Sequence, residues 1–339
     1  VRVTLRQLIQ LSISLAIALG IFWYVYQDLE GSQLSSALSE VSLFWIGVSV
    51  LLSLVGYWLR AWRWKLLIDA TDSNKPTLLT AFWALMFGYV VNLLLPRAGE
   101  IARCAALKNT NRLSVGSLLG TVVLERTIDF AFMLCFVLLA FMLEARIFLE
   151  MMDNLFSWQQ VLHLLSEYGL ILLTVTLILG VTLASILRRI QGSAFMSKLQ
   201  GFFRQFVKGI KSIANLENAV SFWVSSLFIW IIYYAMMYFI TWSMAGTSSL
   251  SASSILMVLV MGSIGMVAPV QGGIGTFHAL VAFILVFYGI PESEGKVFAL
   301  IVHSSQVATV LILGLVSVVM LGKLTWKNKP GLGSLRKDV

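Results

Sequence analysis

The sequence predicts an all-α polytopic membrane protein, with about six transmembrane helices and two re-entrant hairpins of opposite orientation that make an inverted repeat. Three observations carry this. Of 339 residues, 59% are hydrophobic and only 12% charged, at a mean hydropathy of +0.89, which is not the balance of a water-soluble domain. Six apolar runs, near 8–26, 41–59, 115–143, 168–187, 220–243 and 297–321, match the roughly 20 residues that cross a hydrocarbon core about 30 Å thick. Two further apolar stretches are interrupted, at Pro96 and at Pro269.

The elements follow in order. The first run is as long as a full span, ends in Phe22-Trp23-Tyr24 and has no small-residue cleavage site, so it is expected to be a retained helix rather than a signal peptide. Arg2 and Arg6 precede it, whereas Asp28, Glu30 and Glu40 fill the next loop. Arg60, Arg63, Lys65 and Lys75 follow the second span, and Glu144, Glu150, Asp153 and Glu167 follow the 115–143 span. Arg188, Arg189, Lys198, Arg204, Lys208 and Lys211 crowd the next loop, and Lys323, Lys327, Lys329, Arg336 and Lys337 make the tail. Short loops rich in Lys and Arg stay cytoplasmic, so both termini are assigned there. The net charge of +8 is a topology signal and a source of contacts to anionic headgroups, with no nucleic-acid signal. The stretch from Trp58 to Lys65 mixes indole and cationic groups and reads as an interfacial anchor; segment 192–217 reads as an amphipathic surface helix.

The alternation of sides closes only if the interrupted stretches turn back. An ordinary crossing by 78–95 would place Arg97, Arg103, Lys108 and Arg112 outside, against the charge rule, and a hairpin through 97–108 returns them. The second hairpin, 252–268 and 276–289, opens outward and leaves Glu292 and Glu294 outside. Both breaks read Pro-x-x-Gly, at Pro96 to Gly99 and Pro269 to Gly272. The chain is parsed as one transmembrane domain, 1–339. Its parts are a first span and outer loop (1–40), a first repeat (41–143), a connecting span and basic loop (144–219), a second repeat (220–321) and a cytoplasmic tail (322–339). Two Pro-kinked helices in an ordinary bundle are the competing reading.

Interrupted helices often meet at a binding site near the bilayer midplane. Arg97 and Arg103 lie beside the first break, with Asn92 and Glu100 completing its polar lining. Glu125 and Asp129 share a helix face, and Arg126 is three residues from Asp129. At 1.5 Å per residue, Glu125 sits roughly 15 Å into its helix. An ionisable group there costs at least about 2.5–3.5 kcal/mol, so the cluster is either an ion-pair lock between helices or a binding site. Guanidinium groups suit phosphate oxygens, and Glu125 is a spare carboxylate for pairing with Arg97 or Arg103 or for carrying a proton. Gln271, His278 and His303 line the second break, where Gly272, Gly273 and Gly275 allow close backbone approach. The histidines fit interhelical hydrogen bonds or a proton relay. Cys104 and Cys135 have no CxxC spacing and read as buried free thiols. With no catalytic triad, nucleotide-binding loop or metal-ligand spacing in the sequence, no enzyme activity, cofactor or metal is expected.

Four motifs together carry a family resemblance: Arg60-Ala-Trp-Arg63-Trp64-Lys65-Leu-Leu67, Asn92-Leu-Leu-Leu-Pro96-Arg97-Ala-Gly99-Glu100-Ile-Ala-Arg103, Glu125-Arg126-x-x-Asp129 and Pro269 to Gly275. In that order they resemble the lysylphosphatidylglycerol synthase transmembrane-region family, also called flippase-like domain proteins, over nearly the whole chain. The resemblance implies a multi-pass protein of the bacterial or archaeal inner membrane with re-entrant helices and a lipid-translocating role. In its best-known members this domain is joined to a soluble aminoacyl-transferase domain; here a short basic tail follows residue 321, so synthase activity is not expected. The expectation is a flippase for a phosphate-bearing lipid: a phospholipid, an aminoacyl-phospholipid or a polyprenyl-phosphate-linked one. Arg97, Arg103 and Arg126 would engage the phosphate, Glu100, Glu125 and Asp129 would position them, and the breaks at Pro96 and Pro269 would serve as inner and outer gates. The alternative is a non-transporting accessory subunit for a lipid-modifying glycosyl- or aminoacyl-transferase. An intramembrane transferase acting on a lipid-linked sugar is a third reading. Expected partners are membrane lipids with anionic headgroups.

Overall fold

The computed structural model describes residues 5–71, 74–95, 97–111, 113–155, 163, 166–171, 173–175, 177–178, 180, 218–268 and 270–327. Pro96, Pro269, part of the 168–187 run, the amphipathic segment 192–217 and the tail beyond 327 lie outside them. Among the described residues every element is a helix. Helices α1 (Leu5–Tyr26) and α2 (Gly31–Ser39) precede α3 (Leu43–Asp69), α4 (Leu78–Leu94), α5 (Gly99–Asn111) and α6 (Val115–Leu143). The described residues between 144 and 180 belong to a unit of their own, with α7 (Ala145–Leu155) and helical residues 166–171 and 173–175. The main unit resumes with α8 (Ala219–Thr241), α9 (Ala252–Val267), a 3-10 turn (Gln271–Gly273), α10 (Thr276–Phe287) and α11 (Glu292–Lys327).

This is an all-α polytopic membrane protein. Among the described residues α3, α6, α8 and α11 are long and apolar enough to cross a membrane, and the 8–26 run lies within α1. Their outer faces stay apolar. On α6, Phe130, Leu134 and Leu138 form an exposed i, i+4, i+8 stripe, and Ile312, Leu315 and Val319 form an i, i+3, i+7 stripe on α11. Such stripes suit lipid as solvent. Cys104 is buried, but Cys135 is exposed on the face of α6 that carries Leu138 and Met142, which corrects the expectation of two buried thiols.

Helices α4, α9 and α10 have 17, 16 and 12 residues. They rise only about 26, 24 and 18 Å, short of the hydrocarbon thickness. Each first arm begins on a hydroxyl cap: Thr77 accepts from the Thr80 amide at 3.2 Å, and Ser251 from the Ser254 amide at 3.1 Å. Each pair then folds back on itself. A Cβ on Gly88 would lie 2.8 Å from the Gly99 carbonyl oxygen, and one on Gly99 would collide with Gly88 and Asn92, so α4 and α5 touch backbone to backbone. In the second hairpin Gly265 meets the backbone of Thr276 and Phe277, and the Thr276 hydroxyl donates to the Gly265 carbonyl at 2.7 Å.

The packing has a regular pattern. Helix α3 lies against α8; α4 packs on α5, α3 and α11, while α9 packs on α10, α8 and α6. Likewise α6 contacts α5, α3 and α8, and α11 contacts α10, α8 and α3. Exchanging α3–α6 with α8–α11 reproduces these contacts. An apolar core in the first half joins Trp64, Ile68, Ala81, Ala84, Cys104, Leu107, Leu118 and Val122. Its alanines let the helix backbones approach closely.

Candidate functional site

The site is built where α3, α5 and α6 converge. Apolar sequence carries α3 past the expected end at residue 59 and on to Asp69, so Arg60 and Arg63 are three residues apart on one inward face. Glu125 is wholly buried at the centre. Its Oε2 accepts from Arg103 at 2.7 Å; its Oε1 accepts from Arg60 and Arg126 at 3.3 Å each and from Arg63 at 3.4 Å. Asp129, one turn on, accepts from Arg63 at 2.6 Å and Arg60 at 3.1 Å. Four guanidinium groups therefore share two carboxylates.

Neutral groups complete the shell. The Tyr233 hydroxyl of α8 accepts from Arg60 at 2.8 Å, and the Ser226 hydroxyl from Arg63 at 3.3 Å. The Arg60 guanidinium lies 5.6 Å from the centre of the Tyr89 ring on α4. Arg103 lies 4.3 Å above the Trp64 ring, whose indole N–H donates to Thr121 at 3.0 Å. Arg63 and Arg103 are buried, whereas the Arg126 side chain is 42% exposed and forms the rim. The cluster combines an excess of fixed positive charge with a partly open edge, which is the chemistry of an anion site.

The structure revises several expectations. Glu125 pairs with Arg103 as expected, but not with Arg97, and both its oxygens are occupied by guanidinium donors. Arg126 approaches Asp129 only to 3.9 Å, since Arg60 and Arg63 hold that carboxylate more closely. Trp58 to Lys65 is not simply an interfacial anchor, because Arg63 and Trp64 are completely buried; Lys65 near the helix end pairs with Asp69. Arg97 is not in the cluster. It is exposed, holds a left-handed backbone at φ 61° and donates to the Val267 carbonyl of the other hairpin at 3.4 Å. Asn92 and Glu100 build the first break: Asn92 accepts from the Gly99 amide at 2.7 Å, capping α5, and donates to Glu100 at 3.4 Å.

The second break forms a separate polar site. His303 Nε2 is 2.8 Å from the Gly272 carbonyl oxygen, and His278 Nδ1 accepts from the Gly275 amide at 3.2 Å. Gly272 and Gly275 have φ of 58° and 84°, and Gly275 lies against the backbone of Phe22 in α1. Gln271 is buried beside them. The two breaks meet, with Leu93 against Gly272 and Arg97 against Val267. Gly273 packs on Met266 within its own hairpin.

Arg60, Arg63, Tyr89, Ser226 and Tyr233 were not among the expected site residues. For the arginines the signal was present, as an i, i+3 pair in a helix whose apolar character continues beyond them. For the tyrosines and the serine it was not, because single hydroxyls on apolar helices carry no spacing signature.

The family model described as lysylphosphatidylglycerol synthase TM region matches residues 11–314. No curated protein and no solved structure matches the chain significantly.

Proposed function

Because the chain belongs to the lysylphosphatidylglycerol synthase transmembrane-region family, and so has a membrane lipid-related function, we propose that it is a flippase that carries phosphate-bearing lipids between leaflets. The observation that carries this reading is the buried cluster of Arg60, Arg63, Arg103, Arg126, Glu125 and Asp129. Moving a headgroup through hydrocarbon is costly because its phosphate loses water. Fixed guanidinium groups, already held by carboxylates, substitute for that water without reorganising. Arg126 at the rim meets the phosphate first, and Glu125 and Asp129 position the arginines.

In this reading α4–α5 and α9–α10 are oppositely oriented re-entrant hairpins in an inverted repeat. Their short arms and the exchangeable helix contacts support that arrangement. Contact between the breaks near Leu93, Arg97, Val267 and Gly272 is where the repeats move against each other. The protein lies in the inner membrane of a bacterial or archaeal cell with both termini cytoplasmic.

Purified protein in liposomes tests the proposal. Labelled anionic phospholipids and polyprenyl phosphates should exchange between leaflets with wild type and at least ten-fold more slowly with Arg126→Ala, which remains folded. Equal exchange by both proteins removes the cluster from the mechanism. Absence of exchange with folded wild type leaves the accessory-subunit role.

A further inference from the structure

The proposed cluster has a charge and a donor count that bear on which phosphate it prefers. Four guanidinium groups and two carboxylates leave two positive charges. No other charged side chain compensates them within the described contacts. Lys65 is satisfied by Asp69, and Glu100 is engaged by Asn92 at the break. The α4 and α8 side chains that meet the arginines are neutral: Tyr89, Ser226 and Tyr233.

The hydrogen-bond inventory is unbalanced in the same sense. Arg60 Nε, Arg63 Nε, Arg103 Nη1 and the Tyr89 hydroxyl are buried without a partner among the described residues. The arginine atoms are all donors, and the tyrosine hydroxyl can donate as well. The two carboxylates are already engaged, so the shortage is of acceptors. A buried donor without a partner is unfavourable, and an anion with many oxygens relieves it.

From these two observations we infer that the cluster is matched to a phosphate group bearing at least two negative charges, as in a phosphomonoester or a diphosphate, over a phosphodiester. The inference rests on the anion-site reading above. A phosphomonoester carries nearly two charges near neutral pH and three terminal acceptor oxygens. A phosphodiester carries one charge and two such oxygens. It leaves one positive charge uncompensated in a region where charge is poorly screened. A dianion neutralises the cluster and supplies the additional acceptor. Arg126, with its exposed side chain, makes the first contact, and the buried donors of Arg60, Arg63 and Arg103 lie behind it.

Binding to the full-length protein in nanodiscs of zwitterionic lipid tests this. The probes are dioleoyl phosphatidic acid, farnesyl diphosphate, dioleoyl phosphatidylglycerol, inorganic phosphate and pyrophosphate. Phosphatidic acid and farnesyl diphosphate should bind at least ten-fold more tightly than phosphatidylglycerol. Arg126→Gln, which lowers the cluster charge by one, should shrink that ratio toward unity, and Arg126→Lys should retain it. Competition by pyrophosphate as effective as by farnesyl diphosphate supports the dianion and assigns the site to a soluble phosphate; weak competition assigns it to a lipid. Equal binding of phosphatidic acid and phosphatidylglycerol, with both exchanged between leaflets, overturns the dianion inference and leaves the flippase reading standing. No binding of any probe by folded protein overturns both.

Discussion

Glu125→Gln removes one negative charge from the point where four guanidinium groups converge, at 2.7 Å from Arg103 and 3.3–3.4 Å from Arg60, Arg63 and Arg126. At an effective dielectric near 20, two unit charges about 4 Å apart attract by about 4 kcal/mol. Desolvation of the carboxylate offsets much of the gross attraction, and breaking a buried pair costs about 3–5 kcal/mol net. Glutamine fills the same volume, so no cavity term is added. Arg60 and Arg63 retain Asp129, but Arg103 has no other carboxylate partner among the described residues. Most of the loss therefore comes from stranding Arg103, and the expected destabilisation is about 4 kcal/mol. Unfolding in mixed micelles, followed by helicity as denaturing detergent is added, measures it. The double variant Arg103→Met, Glu125→Gln should recover about 2 kcal/mol, because it removes the stranded cation as well. A Glu125→Gln protein within about 0.5 kcal/mol of wild type, the range of an ordinary surface change, would refute this reasoning.

Three further outcomes are expected. Gly99→Ala forces α5 away from the Gly88 carbonyl and Asn92, and should cost about 1–3 kcal/mol by the same unfolding measurement. His303→Phe leaves the Gly272 carbonyl without its contact and should cost about 1–3 kcal/mol, with little effect on binding at the arginine cluster. In a Cys104→Ala, Cys135→Ala background, Lys75→Cys and Lys108→Cys should react with an impermeant thiol reagent from one face of the membrane. Ser248→Cys and Glu292→Cys should react only from the other. Labelling of Lys75→Cys and Lys108→Cys from opposite faces would turn α4–α5 into a simple crossing.

Much of the fold was legible because lipid imposes a simple rule on sequence. Apolar runs of membrane length became α3, α6, α8 and α11, and the breaks at 95–99 and 268–275 separate shorter apolar helices. The site was legible in part. Glu125, Arg126, Asp129 and Arg103 announce themselves as ionisable groups in apolar helices, and the structure brings them together. Arg60 and Arg63 were obscured because a cationic group near tryptophans resembles a membrane-boundary signal. Only packing against α8 and α6 distinguishes a buried arginine from one that snorkels. Arg97 misled in the other direction. Its place beside the break suits an anion site, but its left-handed backbone turns it toward Val267. The histidines lie at the second break as expected, with its backbone as their partners.

The central claim is that the arginine cluster holds a lipid phosphate, and magnetic-resonance distance measurement tests it most directly. Protein labelled with 15N at arginine side chains would be reconstituted in liposomes containing phosphatidic acid, and 31P–15N dipolar coupling recorded for wild type and Arg126→Ala. The account predicts a guanidinium–phosphate coupling at hydrogen-bonding range in wild type that is strongly reduced in the variant. No such coupling in folded wild type, or a coupling unchanged by Arg126→Ala, would contradict it.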